Sequence, residues 1–166
     1  MLEVKALLFD VFGTVVDWRT GIAIEVQMIA KKYNIELNAD DFADAWRAEY
    51  QPAMEQIRSG KRSFTILDIL HLENLKKIAP RFNLNNLSNE DLNFLVTAWH
   101  RLPGWPDSSQ GLNKLKKKFI LATQSNGNIA LMVNMAKYSN LSWDVILGAE
   151  VLGHYKPEPD AYIKAC

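Results

Sequence analysis

Leu7-Leu8-Phe9-Asp10-Val11-Phe12-Gly13-Thr14 is the stretch that decides how this chain is read. A short apolar run meets an acid and then breaks into a glycine turn that carries a hydroxyl. An unpaired carboxylate is a costly way to end a buried strand. At the carboxyl end of a strand, where open α/β sheets hold their ligands, the same acid is a candidate nucleophile. Residue type and spacing leave two readings of Asp10 open: a nucleophile, or a strand-end acid closing a turn with nearby amides. Gly13 permits the tight turn, and the amides of residues 11–14 are then placed to surround an anion. Thr14 either donates to Asp10 or caps the next element.

Working outward, residues 4–9 read as a buried strand, apolar rather than alternating. Two more apolar strands are expected at residues 119–123 and 145–147. Helix signals cover residues 108–117 and 129–138 and resume near Glu158, after Pro157. Strand, helix and strand joined by short links are the grammar of a parallel α/β sheet. Residues 20–100 break that grammar and hold no convincing strand. Apolar residues recur there at helical spacing: Ile22, Val26, Ile29 and Ala30, then Phe42, Ala45, Trp46 and Tyr50. Ile66, Leu67, Leu70 and Leu75 follow, and then Leu92, Leu95, Val96 and Trp99. Asn38 or Asp40 is placed to cap the second helix, and Ser88 with Asp91 resembles a capping box on the last. A sheet unit of residues 1–17 and 101–166 is therefore expected, with a helical cap domain of residues 18–100 inserted. Leu102-Pro103-Gly104-Trp105-Pro106 serves as the return hinge.

With 166 residues, 48% of them hydrophobic, the chain can build one core and a small appended unit. Lys and Arg number 19, as do Asp and Glu, so the charge balance points to neither nucleic acid nor an anionic membrane surface. The basic run Lys114, Lys116, Lys117 and Lys118 falls at a helix end, where lysines suit the dipole, and reads as a solvated face. Cys166 is the single cysteine, so no internal disulfide framework exists. No secretory signal or membrane-length apolar run is visible, and a cytoplasmic location is expected. His71, His100 and His154 show no spacing that suggests zinc. Three strands leave a central strand at the sheet edge, and the last helix has barely begun at Cys166. A fragment or shortened gene product is the expectation, a small domain of new arrangement the alternative.

Two further polar clusters follow strands. Ser125-Asn126-Gly127-Asn128 makes a good turn and helix cap, and it also sets a hydroxyl and an amide at the same sheet end as Asp10. Lys156 follows the third strand and is stiffened by Pro157. Taken alone it reads as a solvated charge. Polar groups at three successive strand ends are harder to dismiss, because distant segments converge there.

Together these motifs resemble the haloacid dehalogenase superfamily. Phe9-Asp10-Val11-Phe12-Gly13-Thr14 is similar to its first motif, Thr123-Gln124-Ser125-Asn126-Gly127-Asn128 to its second, and Tyr155-Lys156-Pro157-Glu158-Pro159 to its third. Within the superfamily the chain looks most like the type II enzymes that act on L-2-haloacids, across almost its whole length, including Ala45-Trp46-Arg47 and Tyr50 in the cap. The resemblance implies an α/β fold with a Rossmann-like parallel sheet core, three-layer α/β/α and incomplete here, carrying an inserted helical cap. It implies Asp10 as nucleophile, with Thr14, Ser125, Asn126 and Lys156 around it. Arg47 would meet the substrate carboxylate or the departing halide, with Val11, Phe12 and Tyr162 alongside. The implied reaction is hydrolytic dehalogenation of short (S)-2-haloacids to (R)-2-hydroxyacids through an aspartyl ester, with no cofactor and no metal. The implied partner is the small-molecule substrate, and a homodimer is an allowed assembly.

Position 12 separates this reading from the phosphatases of the superfamily. They carry a second aspartate two residues after the nucleophile, as acid/base for the leaving oxygen, where this chain has Phe12. Halide leaves without a proton, so an apolar side chain suits dehalogenation. Phe12 replaces the tyrosine often found there, and Gln124 replaces a residue that is usually apolar. Nothing in the chain matches the fourth motif. A Mg²⁺-dependent phosphatase and a non-catalytic, truncated interaction protein of the same fold are the two alternatives.

Overall fold

The computed structural model describes residues 3–166, and the chain divides into two compact units, Met1–Trp18 with His100–Cys166 and Arg19–Trp99. In chain order the elements begin with β1 (Ala6–Phe9), α1 (Trp18–Lys32), α2 (Ala39–Ala48), α3 (Tyr50–Arg58), α4 (Leu67–Ile78) and α5 (Asn89–Val96). They continue with α6 (Ser108–Leu115), β2 (Ile120–Ser125), α7 (Ile129–Tyr138), β3 (Val145–Gly148), α8 (Ala149–Leu152) and α9 (Pro159–Ile163). Short 3₁₀ turns lie at Ala79–Phe82 and Thr97–Arg101.

The sheet is parallel, in the order β1-β2-β3. Its register pairs Ala6 with Ile120 and Phe9 with Thr123, then Ala122 with Val145 and Ser125 with Gly148. β2 is the middle strand, so all its residues after Ile120 are buried. β1 is an edge strand and alternates between exposed and half-buried, with Leu8 38% exposed. The first strand is shorter than its apolar run, because Val4 is exposed and Lys5 contributes only a carbonyl that accepts the Ile120 N–H. The middle strand runs on to Ser125, since Gln124 and Ser125 still pair with Leu147 and Gly148. α7 and α8 pack on β3. α8 has no counterpart in the periodicity: it is one turn, closed by Gly153 at φ +73°. Lys114, Lys116, Lys117 and Lys118 are all exposed, and the Lys116 ammonium also lies 2.8 Å from Asp144, whose carboxylate accepts the Leu121 N–H at 2.9 Å.

The described residues of the second unit form helices and turns without a strand. Asn38 caps α2 by accepting the N–H groups of Asp40 and Asp41, and those acids suit the positive end of the helix. The apolar pattern from Phe42 to Tyr50 is divided between two helices at Glu49. Pro52 supplies the reason, since it has no N–H to offer the Ala48 carbonyl and fits only the first turn of a new helix. The unit's core is mainly aliphatic and encloses an aromatic cluster. Trp46, 1% exposed, meets Trp99 edge-on at 5.4 Å, and His71 stacks on Trp99 at 4.3 Å. The Trp46 indole donates to the His71 carbonyl. Ser88 caps α5 by accepting the Asp91 N–H. The Asp91 side chain does not reach back to complete a capping box; it turns inward and accepts from Lys32, Tyr33 and Ser88 at 2.6–2.7 Å. Among the described residues no helix is long and apolar enough to cross a membrane.

Candidate active site

The site begins where β1 ends. Asp10 leaves the strand after Phe9, and the chain folds at once into a tight loop. The N–H groups of Thr14, Val15 and Val16 all converge on the Val11 carbonyl, and the Gly13 N–H donates to Val16. Gly13 sits at φ +87°, a conformation that side-chain-bearing residues rarely adopt. The loop is laced to the segment after the helical unit: Val15 accepts the Trp105 N–H, and the Trp105 indole donates to the Gly13 carbonyl. The expected cradle of free amides at residues 11–14 is therefore not formed, because the Gly13 and Thr14 amides are committed inside the loop. The main chain that does meet the acid is Val11, whose N–H bonds the Asp10 carboxylate while its side chain is fully buried.

Asp10 is held from two other sides. The Thr14 hydroxyl donates to Oδ2 at 2.7 Å, and the Lys156 ammonium donates to Oδ1 at 2.8 Å. Lys156 is itself constrained: its ammonium also donates to the Gln124 carbonyl at 2.7 Å, and its main-chain N–H donates to Asn126 Oδ1 at 2.8 Å. Partial burial acts to raise the pKa of Asp10. The hydrogen bonds from Lys156 and Thr14, the Lys156 charge and the Val11 N–H outweigh it, so the carboxyl titrates below its usual range. Asp10 is thus an anion at neutral pH, with its side chain still 50% exposed. A charged, oriented and accessible carboxylate is what nucleophilic attack requires.

The second cluster is placed by the end of β2. Ser125, 2% exposed, accepts the Gly127 N–H on its hydroxyl and so shapes the turn that presents Asn126 to Lys156. The turn fits tightly over β3, for a Cβ at Gly148 would lie 2.6 Å from the Gly127 carbonyl oxygen. The Lys156–Pro157 peptide is cis. Phe12 is half-buried and bridges to Val16. Tyr162 stands on α9 with its side chain 47% exposed. Arg47 belongs to the helical unit, where its guanidinium lies over the Tyr50 ring, 3.8 Å from the centroid.

Asp10, Thr14, Asn126 and Lys156 thus form one hydrogen-bonded group, drawn from the ends of β1 and β2 and from the loop between α8 and α9. The part of it that residue types do not announce is main chain, namely the Gln124 carbonyl and the Val11 N–H. Among the described residues no group of three or more His, Cys, Asp or Glu side chains is arranged to hold a metal ion.

Comparison with known proteins places the chain in a family. The profile of the haloacid dehalogenase-like hydrolases matches residues 4–166. No curated protein sequence matches. Among solved structures, the defluorinating L-2-haloacid dehalogenase Rha0230 is 47% identical with a TM-score of 0.95, over 98% of this chain and 67% of that one. The L-2-haloacid dehalogenase PA0810 is 41% identical with a TM-score of 0.93, over 99% of this chain and 70% of that one. An L-2-haloacid dehalogenase from Xanthobacter autotrophicus shares the fold at 20% identity, with a TM-score of 0.83 over 98% of this chain and 64% of that one. The chain spans about two thirds of the length of these proteins. By its matched residues and its likeness to the first two, the chain belongs to the haloacid dehalogenase-like hydrolases and stands close to the L-2-haloacid dehalogenases.

Proposed function

We propose that the chain carries the nucleophilic machinery of a hydrolase that converts short (S)-2-haloacids into (R)-2-hydroxyacids. The observation that carries this reading is the Asp10 carboxylate, held ionised between Lys156 and Thr14 with Phe12 two residues on. A phosphatase of this kind needs an acid at that position to protonate a leaving oxygen; a halide leaves unprotonated. Likeness to two L-2-haloacid dehalogenases at 41% and 47% identity supports the substrate class.

In the first step an Asp10 oxygen attacks C2 of the haloacid from the side opposite the halogen. The C–O bond forms as the C–halogen bond breaks, and the halide departs with the electron pair. Configuration at C2 inverts. In the second step water adds to the Asp10 carboxyl carbon and the ester C–O bond breaks. The alcohol oxygen leaves with one proton as the 2-hydroxyacid, and the other proton is released as Asp10 returns to its carboxylate. Lys156 and Thr14 hold the anion in place before attack. Ser125 and Asn126 support Lys156. Arg47 takes the substrate carboxylate through two parallel donors, a role suited to a planar guanidinium already stacked on Tyr50. Val11, Phe12 and Tyr162 are the proposed neighbours of the substrate.

The test is halide release from each enantiomer of 2-chloropropionate, by this chain and by Asp10→Asn, in the presence of a chelator. Release from the L enantiomer alone, lost in the variant, is the expected result. A folded chain that releases no halide, or an unaffected variant, overturns the proposal.

A further inference from the structure

β2 carries a residue that its packing does not call for. Gln124 lies on the middle strand and is only 7% exposed, at a position where an apolar side chain would avoid burying an amide. Its Nε2 donates to the Ala161 carbonyl in α9, while Oε1 is buried without a hydrogen-bond partner. A buried acceptor left unsatisfied weakens the fold, so stability alone does not account for glutamine here. The contact it makes does. α9 is five residues long, too short to hold together by helix propensity, and it is the helix that follows Lys156-Pro157.

Residue 124 therefore meets the Lys156 segment twice. Its carbonyl accepts the Lys156 ammonium, and its side chain fastens Ala161, five residues further on. With Asn126 holding the Lys156 N–H, the span from Lys156 to Ala161 is secured at both ends by residues at the end of β2. We propose that Gln124 is a positioning residue, which sets the distance between the Lys156 ammonium and Asp10 by anchoring α9. Its relevance to turnover rests on the function proposed above; the geometry does not. The charged group facing Asp10 is Lys156, with Thr14 and the Val11 N–H as its neutral donors.

The readout is the titration of the Asp10 carboxyl carbon by NMR, which needs no substrate. In Gln124→Met, similar in length but without a donor, the Asp10 midpoint should rise by about half a pH unit as Lys156 loosens. Leu121→Ala, on the same strand and fully buried, weakens the fold without touching these contacts and should leave that midpoint in place. In the unmodified chain a Gln124 side-chain amide proton should exchange slowly with solvent. An unchanged midpoint in Gln124→Met, an equal rise in Leu121→Ala, or rapid amide exchange each overturns the proposal. Failure to release halide would leave all three measurements standing, so the two readings fail separately.

Discussion

Lys156 Nζ lies 2.8 Å from Asp10 Oδ1, although 146 residues separate them in the chain. Asp10 titrates below the usual carboxylate range through this pair, so its charged form persists as the pH falls toward that lowered value. Lys156→Met removes the donor and the charge together. The Asp10 midpoint should then move upward, and the acid limb of halide release should move with it. The rate itself should fall by on the order of a hundredfold, as when one preorganised donor is deleted. NMR titration and a pH–rate profile check the two effects separately.

Arg47→Lys keeps the charge but loses the planar fork and its stacking on Tyr50. If Arg47 binds the substrate carboxylate in ground and transition states alike, KM should rise by roughly tenfold with kcat little changed. Steady-state kinetics with 2-chloropropionate decide it; a fall confined to kcat would contradict the assigned role.

Gly148 has an ordinary extended backbone, so its requirement is space. An added Cβ would lie 2.6 Å from the Gly127 carbonyl oxygen and 3.0 Å from that of Ser125, and neither main-chain atom can swing aside. Gly148→Ala should cost about 1–3 kcal/mol, read by urea denaturation. It should also displace Asn126 from the Lys156 N–H and lower turnover beyond what the lost stability explains.

In the helical unit, Lys32, Tyr33 and Ser88 all donate to Asp91, in that order of influence, and hold its pKa down to about 2. A depressed carboxyl pKa stabilises the fold fully above the unfolded value, near 3.8, and that contribution disappears as the pH falls through about 2. Asp91→Asn should lower the thermal midpoint by several degrees at neutral pH, and the difference from the parent chain should shrink as the medium approaches pH 2. Thermal unfolding followed by circular dichroism across that range gives the comparison.

Much of this arrangement was legible in the residues. Asp10, Thr14 and Lys156 each carry a side chain whose chemistry declares itself, and each follows an apolar run that reads as a strand. The helical unit was equally readable, since Ile22, Val26, Ile29 and Ala30 are buried at the spacing that marks them. What could not be read belongs to groups that every residue shares. The amides of Gly13 and Thr14 turn inward to neighbouring carbonyls, and the Gln124 carbonyl receives Lys156, yet no residue type signals either event. At Asp91 the Ser88 cap forms as its position suggests, and only the side chain departs from it. That inward side chain depends on Lys32 and Tyr33, far away in the sequence.

The insertion of a continuous helical unit between β1 and β2 also sets a timetable. On the ribosome, every residue from Arg19 to Trp99 is made before any strand partner of β1 exists. At roughly 5–20 residues per second, Asp10 waits on the order of ten to thirty seconds for the lysine that will neutralise it. The Asp10–Lys156 pair therefore forms only after the whole helical unit has left the ribosome's active centre, so that unit has time to fold before the pair closes.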